Sequence, residues 1–143
     1  MLDKFVGDWR MTYKCPKTEW SPDETSGSAE LSATREIGGR FVQEKSEHAD
    51  NTSGSTMLTY DEQRRCYRSW WFSSTGQMCE SAGQWDAGTK TMTWTSTRDD
   101  KSSTTKHRFV DDNNAQWSME VKDARGKVYF RIDGTTVRSR PEK

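Results

Sequence analysis

Through most of this chain apolar and polar residues change places at every second position, in short runs broken by turn residues. Trp9-Arg10-Met11-Thr12-Tyr13-Lys14 is the first run. Thr91-Met92-Thr93-Trp94-Thr95 and Gln116-Trp117-Ser118-Met119-Glu120-Val121 repeat it. A period of two marks a half-buried β-strand, because successive side chains leave opposite faces of a sheet. No heptad or sustained helical period competes with it.

The alternation predicts a short helical turn near Leu2–Val6 and then strands to the end of the chain. After the first run, Pro16 and Pro22 mark a loop before Ala29–Ile37. Gly38-Gly39 turns into Arg40–His48, and Asn51–Gly54 into Thr56–Tyr60. Arg65–Phe72 and Gln77–Trp85 flank the hairpin signal Ser73-Ser74-Thr75-Gly76. Thr91–Thr97 follows, then a polar loop at Asp99–Ser103, then Thr105–Val110, Ala115–Lys122 and Lys127–Asp133, with a last stretch through Val137. The fold class is all-β, an antiparallel meander of about nine or ten strands. Closure into a barrel removes the free edges that so long an open sheet would expose. A two-sheet sandwich is the alternative, since alternation alone does not separate the two.

At 143 residues the chain reads as one domain, residues 1–143. Hydrophobic residues are only 30%, but seven Trp, five Phe and four Tyr are among them. Large aromatic side chains bury about 150–250 Å² each, so a few suffice for a core. Lys plus Arg and Asp plus Glu are 22 each. That balance lacks the basic footprint of a nucleic-acid or anionic-membrane partner. No apolar stretch approaches a membrane span and no signal peptide is visible. As written the chain reads as cytoplasmic; it is an exported protein if Met1 stands in place of a removed signal peptide. Cys15, Cys66 and Cys79 are odd in number with no CxxC spacing, so neither a structural disulfide nor a metal site is expected.

On the inward face the clean strands place Trp9, Met11, Tyr13, Leu31, Met92, Trp94, Trp117, Met119, Val128 and Phe130. A turn at Asp86–Thr89 sets Gly83 opposite Met92 and Ser81 opposite Trp94. A turn at Ser73–Gly76 sets Trp70 against Cys79, which turns Cys66, Arg68, Trp70 and Phe72 inward. A three-residue turn there would turn Tyr67, Ser69 and Trp71 inward instead; the first register is preferred. Such an interior is either a filled core or a ligand cavity. An inward Arg68 or Arg35 would anchor an anionic group, unless Glu44 or Glu80 pairs with it.

No catalytic signature appears. The histidines, His48 and His107, sit in no HxH or HxxxH spacing, and a trio with Asp50 has no support. There is no GxSxG, no phosphate-binding loop and no dinucleotide-binding glycine pattern.

Phe5-Val6-Gly7-Asp8-Trp9, Gly38-Gly39-Arg40-Phe41-Val42, Leu58-Thr59-Tyr60-Asp61 and Tyr67-Arg68-Ser69-Trp70-Trp71-Phe72, with Gly83-Gln84-Trp85-Asp86 and Lys90-Thr91-Met92-Thr93-Trp94, resemble a bacterial family of unknown function. The resemblance implies a calycin-like β-barrel in an often exported protein. Gly7-Asp8-Trp9 is also similar to the Gly-x-Trp opening of lipocalins and nitrobindin-like haem barrels. The likeness gives Gly7, Trp9 and Arg138, or Arg131, a structural role at the closed end. The haem barrels ligate iron through a His near the C-terminus; this chain has none after His107, so no haem or other cofactor is expected.

The reading is a barrel for a small, partly apolar molecule. Tyr13, Trp70, Trp94, Trp117, Met119 and Phe130 are its wall and Arg68 its polar anchor. The protein is expected as a monomer or homodimer without nucleic-acid, membrane or metal partners. An enzyme using the same cavity, or a filled barrel that self-associates, are the alternatives.

Overall fold

The computed structural model describes residues 1–140. One turn of 3-10 helix, Leu2–Lys4, leads into ten strands: β1 (Gly7–Cys15), β2 (Thr25–Glu36), β3 (Phe41–His48), β4 (Ser53–Asp61), β5 (Cys66–Ser73), β6 (Met78–Asp86), β7 (Thr91–Arg98), β8 (Lys101–Phe109), β9 (Asn114–Lys122) and β10 (Val128–Arg138). Each strand pairs antiparallel with the next, and β1 also pairs with β10 from Trp9↔Arg138 to Lys14↔Asp133. The meander therefore closes into a calycin-like barrel and is not a sandwich.

Two strands outrun their sequence signal. β8 begins at Lys101, so the polar stretch contracts to a turn with Asp99 at φ 55°. β10 runs unbroken to Arg138. Both segments are rich in Ser and Thr, which the pleated sheet accepts but which write no hydrophobic alternation.

The β5–β6 hairpin corrects the preferred register. The Ser73 N–H donates to the Gln77 carbonyl at 2.9 Å, closing a three-residue turn with Gly76 at φ 86°. A left-handed last residue is what such a turn demands, and glycine adopts it freely. The pairs are then Trp71↔Cys79, Ser69↔Ser81 and Tyr67↔Gly83. Tyr67, Ser69 and Trp71 take the inward face, and Cys66, Arg68, Trp70 and Phe72 turn outward. At β6–β7 the loop is longer than expected, and Gly83 lies opposite Trp94 and Trp85 opposite Met92. That displacement is by two residues, so the faces are kept. A bulge in β10 places Val128 opposite Lys122 and Phe130 opposite Val121; Val128 therefore leaves the inward set while Phe130 stays in it.

One end of the barrel is packed shut. Leu2 and Phe5, 6% and 5% exposed, enter it and join Val42, Leu58, Met92 and Phe109 in a continuous core. Phe5 meets Phe109 edge-on at 5.2 Å between centroids. Arg138 secures this floor: its guanidinium lies 4.1 Å from the Trp9 ring centre, Nη1 donates to the Val6 carbonyl at 2.7 Å and Nε to the Asp112 carbonyl at 3.0 Å. Trp9 Nε1 donates to the Phe5 carbonyl at 3.0 Å. Gly7 is needed beside them, since a Cβ there would lie 2.2 Å from Arg138 Nη1. Arg35 does take the inward face, opposite Val42, but at the barrel's end it is spent on the helix and a turn: Nε and Nη2 lie on Asp3 Oδ1 at 2.8 and 2.5 Å, and Nη1 donates to the Gly39 carbonyl at 2.8 Å.

Arg138 joins the last strand to carbonyls of two other segments with a stacked, planar fork that an ammonium does not reproduce. Arg138→Lys is expected to lower stability by about 1–3 kcal/mol. Arg35→Lys, in an exposed ion pair, should stay within about 0.5 kcal/mol of wild type. Urea denaturation of the two variants checks both.

Candidate functional site

Above the floor the inward side chains change from buried to half-exposed. Leu31, Glu44, Ser46, Thr56, Thr105 and His107 all keep surface that solvent reaches although they point into a closed barrel. Beyond them Trp71 is 37% exposed. The barrel is thus a cup, sealed at the end of the 3-10 helix and accessible towards the other.

The cup has two unlike sides. On β9, β10 and β1 the register turns Trp117, Met119, Phe130, Ile132 and Tyr13 inward, an aromatic and aliphatic surface. From β3 through β8 the inward positions at the same depth are mostly hydroxyl or titratable: Glu44, Ser46, Thr56, Ser69, Ser81, Thr105 and His107. A uniformly apolar lining is therefore not what the strands provide. Four rings line up from floor to mouth where the two sides meet at β8 and β9 and on across the first side to β1. Phe5 and His107 are 5.3 Å apart between centroids, His107 and Trp117 6.3 Å, and Trp117 and Tyr13 6.4 Å. Tyr13 in turn meets His48 at 6.4 Å.

Of the residues picked out from sequence as a binding wall, Tyr13, Trp117, Met119 and Phe130 share the accessible interior. Trp94 points inward but is 5% exposed and belongs to the packed floor. Trp70 and Arg68 lie on the outer wall. Arg68 is committed there, with Nη2 on Glu80, Nη1 3.5 Å from Asp61 Oδ2, and its guanidinium 5.3 Å from the Trp70 ring centre. His48, Asp50 and His107 do not converge, and among the described residues no group of three such side chains is placed to hold a metal ion.

The sequence raises Glu44 only as a possible partner of an inward arginine and His107 only in an unsupported metal trio, and places neither in the binding wall. The available signal was their place in the alternation, two residues past Val42 and two before Phe109. Neither forms a hydrogen bond or ion pair with a described residue, and neither has a polar atom sealed from solvent without a partner. Burial alone pushes the Glu44 carboxyl up to about 7 and the His107 imidazole down to about 4. At neutral pH His107 is uncharged, one nitrogen donating and the other accepting. Burial, with Asp50 and Cys15 adding to it, also raises Tyr13.

The two groups face one another. From His107 the direct pairings pass through Trp117, Gly134, Tyr13 and Gly27, and the same register, extended two residues past the end of β3, reaches Asp50. In the other direction they pass through Met92 and Trp85, and the extended register reaches Gly38. Glu44 is midway between positions 38 and 50, the point that half a turn of a staggered barrel brings to the same height. Ten strands about 4.8 Å apart and tilted about 40° put the two backbones roughly 20 Å apart.

What the geometry defines is a calycin-like barrel with one sealed end and an accessible interior. The chain belongs to a family described as a protein of unknown function (DUF1579), whose model matches residues 1–138. No curated protein matches the sequence. Among solved structures the chain is similar to Rv2717c from M. tuberculosis, with a TM-score of 0.73 and 13% identity over 97% of this chain and 95% of that one. It is also similar to the S-type phycobiliprotein lyase CPES from Guillardia theta, with a TM-score of 0.66 and 14% identity over 99% and 92%. At those identities the likeness is one of fold.

The pH dependence of stability follows from Glu44. Its ordinary value is 4.5 and its folded value about 7, so its favourable contribution is complete below 4.5 and is lost as pH rises through 7. Glu44→Gln is expected to raise stability at pH 8 by about 1–3 kcal/mol relative to wild type, discounted for the solvent that reaches the cup, and to leave it unchanged at pH 4. Urea denaturation at the two pH values provides the comparison.

Proposed function

We propose that the protein is a small-molecule-binding barrel whose cup holds a partly apolar ligand. Trp117, Met119, Phe130 and Tyr13 would meet its hydrocarbon or aromatic body. Glu44 and His107 would meet polar groups towards its inner end. The observation that carries this reading is the pair of unpartnered, solvent-reached polar side chains directed into the barrel from opposite walls. Polar groups enclosed by protein are normally hydrogen-bonded, and a concave site with one apolar wall and a few convergent polar groups is the usual form of a ligand pocket.

A second reading, an enzyme acting on the molecule it binds, is favoured by Glu44. A carboxyl that titrates near neutrality is equipped to take up and return a proton. Fold likeness to a protein named a phycobiliprotein lyase is in keeping with that reading.

N-phenyl-1-naphthylamine, an uncharged aromatic probe, should quench the intrinsic Trp emission on binding. Met119→Trp, which fills the cup, should weaken its binding at least tenfold; Trp70→Leu, on the outer wall, should not change it. Absence of a response in wild type, or equal loss in both variants, would count against an interior site. Recovery of an incubated compound unchanged supports binding alone, whereas a product that disappears with Glu44→Gln supports the enzyme.

A further inference from the structure

We propose that the ligand enters the cup at its open end through a notch in the rim, a gap in the wall between β6 and β7, and that Arg98 at its lip holds an anionic group of that ligand. This rests on the interior-binding reading above and adds to it a route and a ligand class.

The gap is a failure of pairing. β5 and β6 are joined from Phe72↔Met78 onward, and β7 and β8 as far as Arg98↔Lys101. Between β6 and β7 the pairing stops at Ala82↔Thr95. Met78–Ser81 and Ser96–Arg98 are each held from one side only, and their facing backbone groups have no ladder partner. The β1–β10 seam also stops short, at Lys14↔Asp133, but the loop after β1 covers it. There Thr18 Oγ1 donates to the Tyr129 carbonyl at 2.9 Å, and Trp20 packs on Tyr129 at 5.4 Å between centroids. Among the described residues no loop covers the β6–β7 gap in that way.

A cleft of about 490 Å³ lies along the gap, lined mainly by outer-face residues of β5, β6 and β7 together with interior positions at the split. Cys79, Ser81 and Ser96 come from the interior face, and Arg68, Glu80 and Thr97 from the outer face. The Cys79 thiol donates to Ser96 Oγ across the split at 3.3 Å. A thiol is a weak donor, so this contact holds the edges together only lightly.

Charge at the lip is uneven. Arg68 is taken up by Glu80 and Asp61, and Arg64 lies 4.0 Å from Asp61. Arg98, which continues the inward alternation of Met92, Trp94 and Ser96, pairs with no carboxylate among the described residues. A free guanidinium beside an opening selects a carboxylate or sulfonate. The ligand class is therefore an apolar body carrying one such group, the body in the cup and the anion at the lip.

Ser96→Cys tests the route, because it sets a second thiol against Cys79 across the gap. Oxidation should join the edges, and dithiothreitol should release them. In stopped-flow mixing with 1-anilinonaphthalene-8-sulfonate, oxidised S96C is expected to associate at least tenfold more slowly than the same protein reduced. Thr97→Trp, which obstructs the cleft from outside, should slow association in the same direction without any crosslink. Arg98→Ala should weaken the sulfonated probe at least tenfold and the uncharged N-phenyl-1-naphthylamine less than twofold. Unchanged rates in both obstructed proteins would overturn the route through the notch, and equal weakening of both probes would overturn the role of Arg98. If wild type binds neither probe, the interior-binding reading falls and this proposal falls with it.

Discussion

The ladder between the first strand and the last decides what the other eight strands become. Trp9↔Arg138 through Lys14↔Asp133 turns a meander into a ring, and from then on every strand has an inside and an outside. The same ladder brings Arg138 over Trp9, and through Trp9 and Val6 it holds the chain's first residues in the barrel's end. Closure and floor are thus one piece of packing. Without it the inward residues of β2 to β9 would face an open, two-sided sheet, and an interior would not exist.

Given that closure, depth governs chemistry. Close to the floor, inward groups are hydrocarbon or indole and fill the space. Higher up, the strands supply Ser, Thr, Glu and His on one arc and rings and thioether on the other. Burial without a partner is unfavourable for an ionised side chain. Glu44 and His107 respond by moving towards their neutral forms, each for the same reason and in opposite directions along the pH scale.

Much of the architecture could be read from the chain because two-residue periodicity is a local signal, repeated in β1, β7 and β9. The inward side of those strands followed directly: Tyr13, Trp117 and Met119 are where alternation puts them. Where the reading failed, the deciding information was not in the alternation. The face of β5 depends on whether its turn holds three residues or four, and Trp70-Trp71 offers a bulky indole to either side. Gly76 in the left-handed region settles it, which makes the turn's last residue more informative than the strand it follows. Val128 fell to a bulge, a defect of one residue that leaves composition untouched. Glu44 and His107 were left out of the lining because a polar residue at an inward position looks like an interruption of the pattern rather than part of a wall.

Glycines in the neighbouring strands set the bore of this vessel. Gly83 lies under Trp94 so closely that a Cβ would meet the ring at 2.5 Å, and Gly134 receives Trp117 in a similar manner, 3.3 Å from a Cβ to the ring. Each indole therefore reclines along the wall instead of projecting towards the axis. The free width of the interior is thus fixed in part by residues that have no side chain of their own, and a methyl group added at either position would push an indole inward.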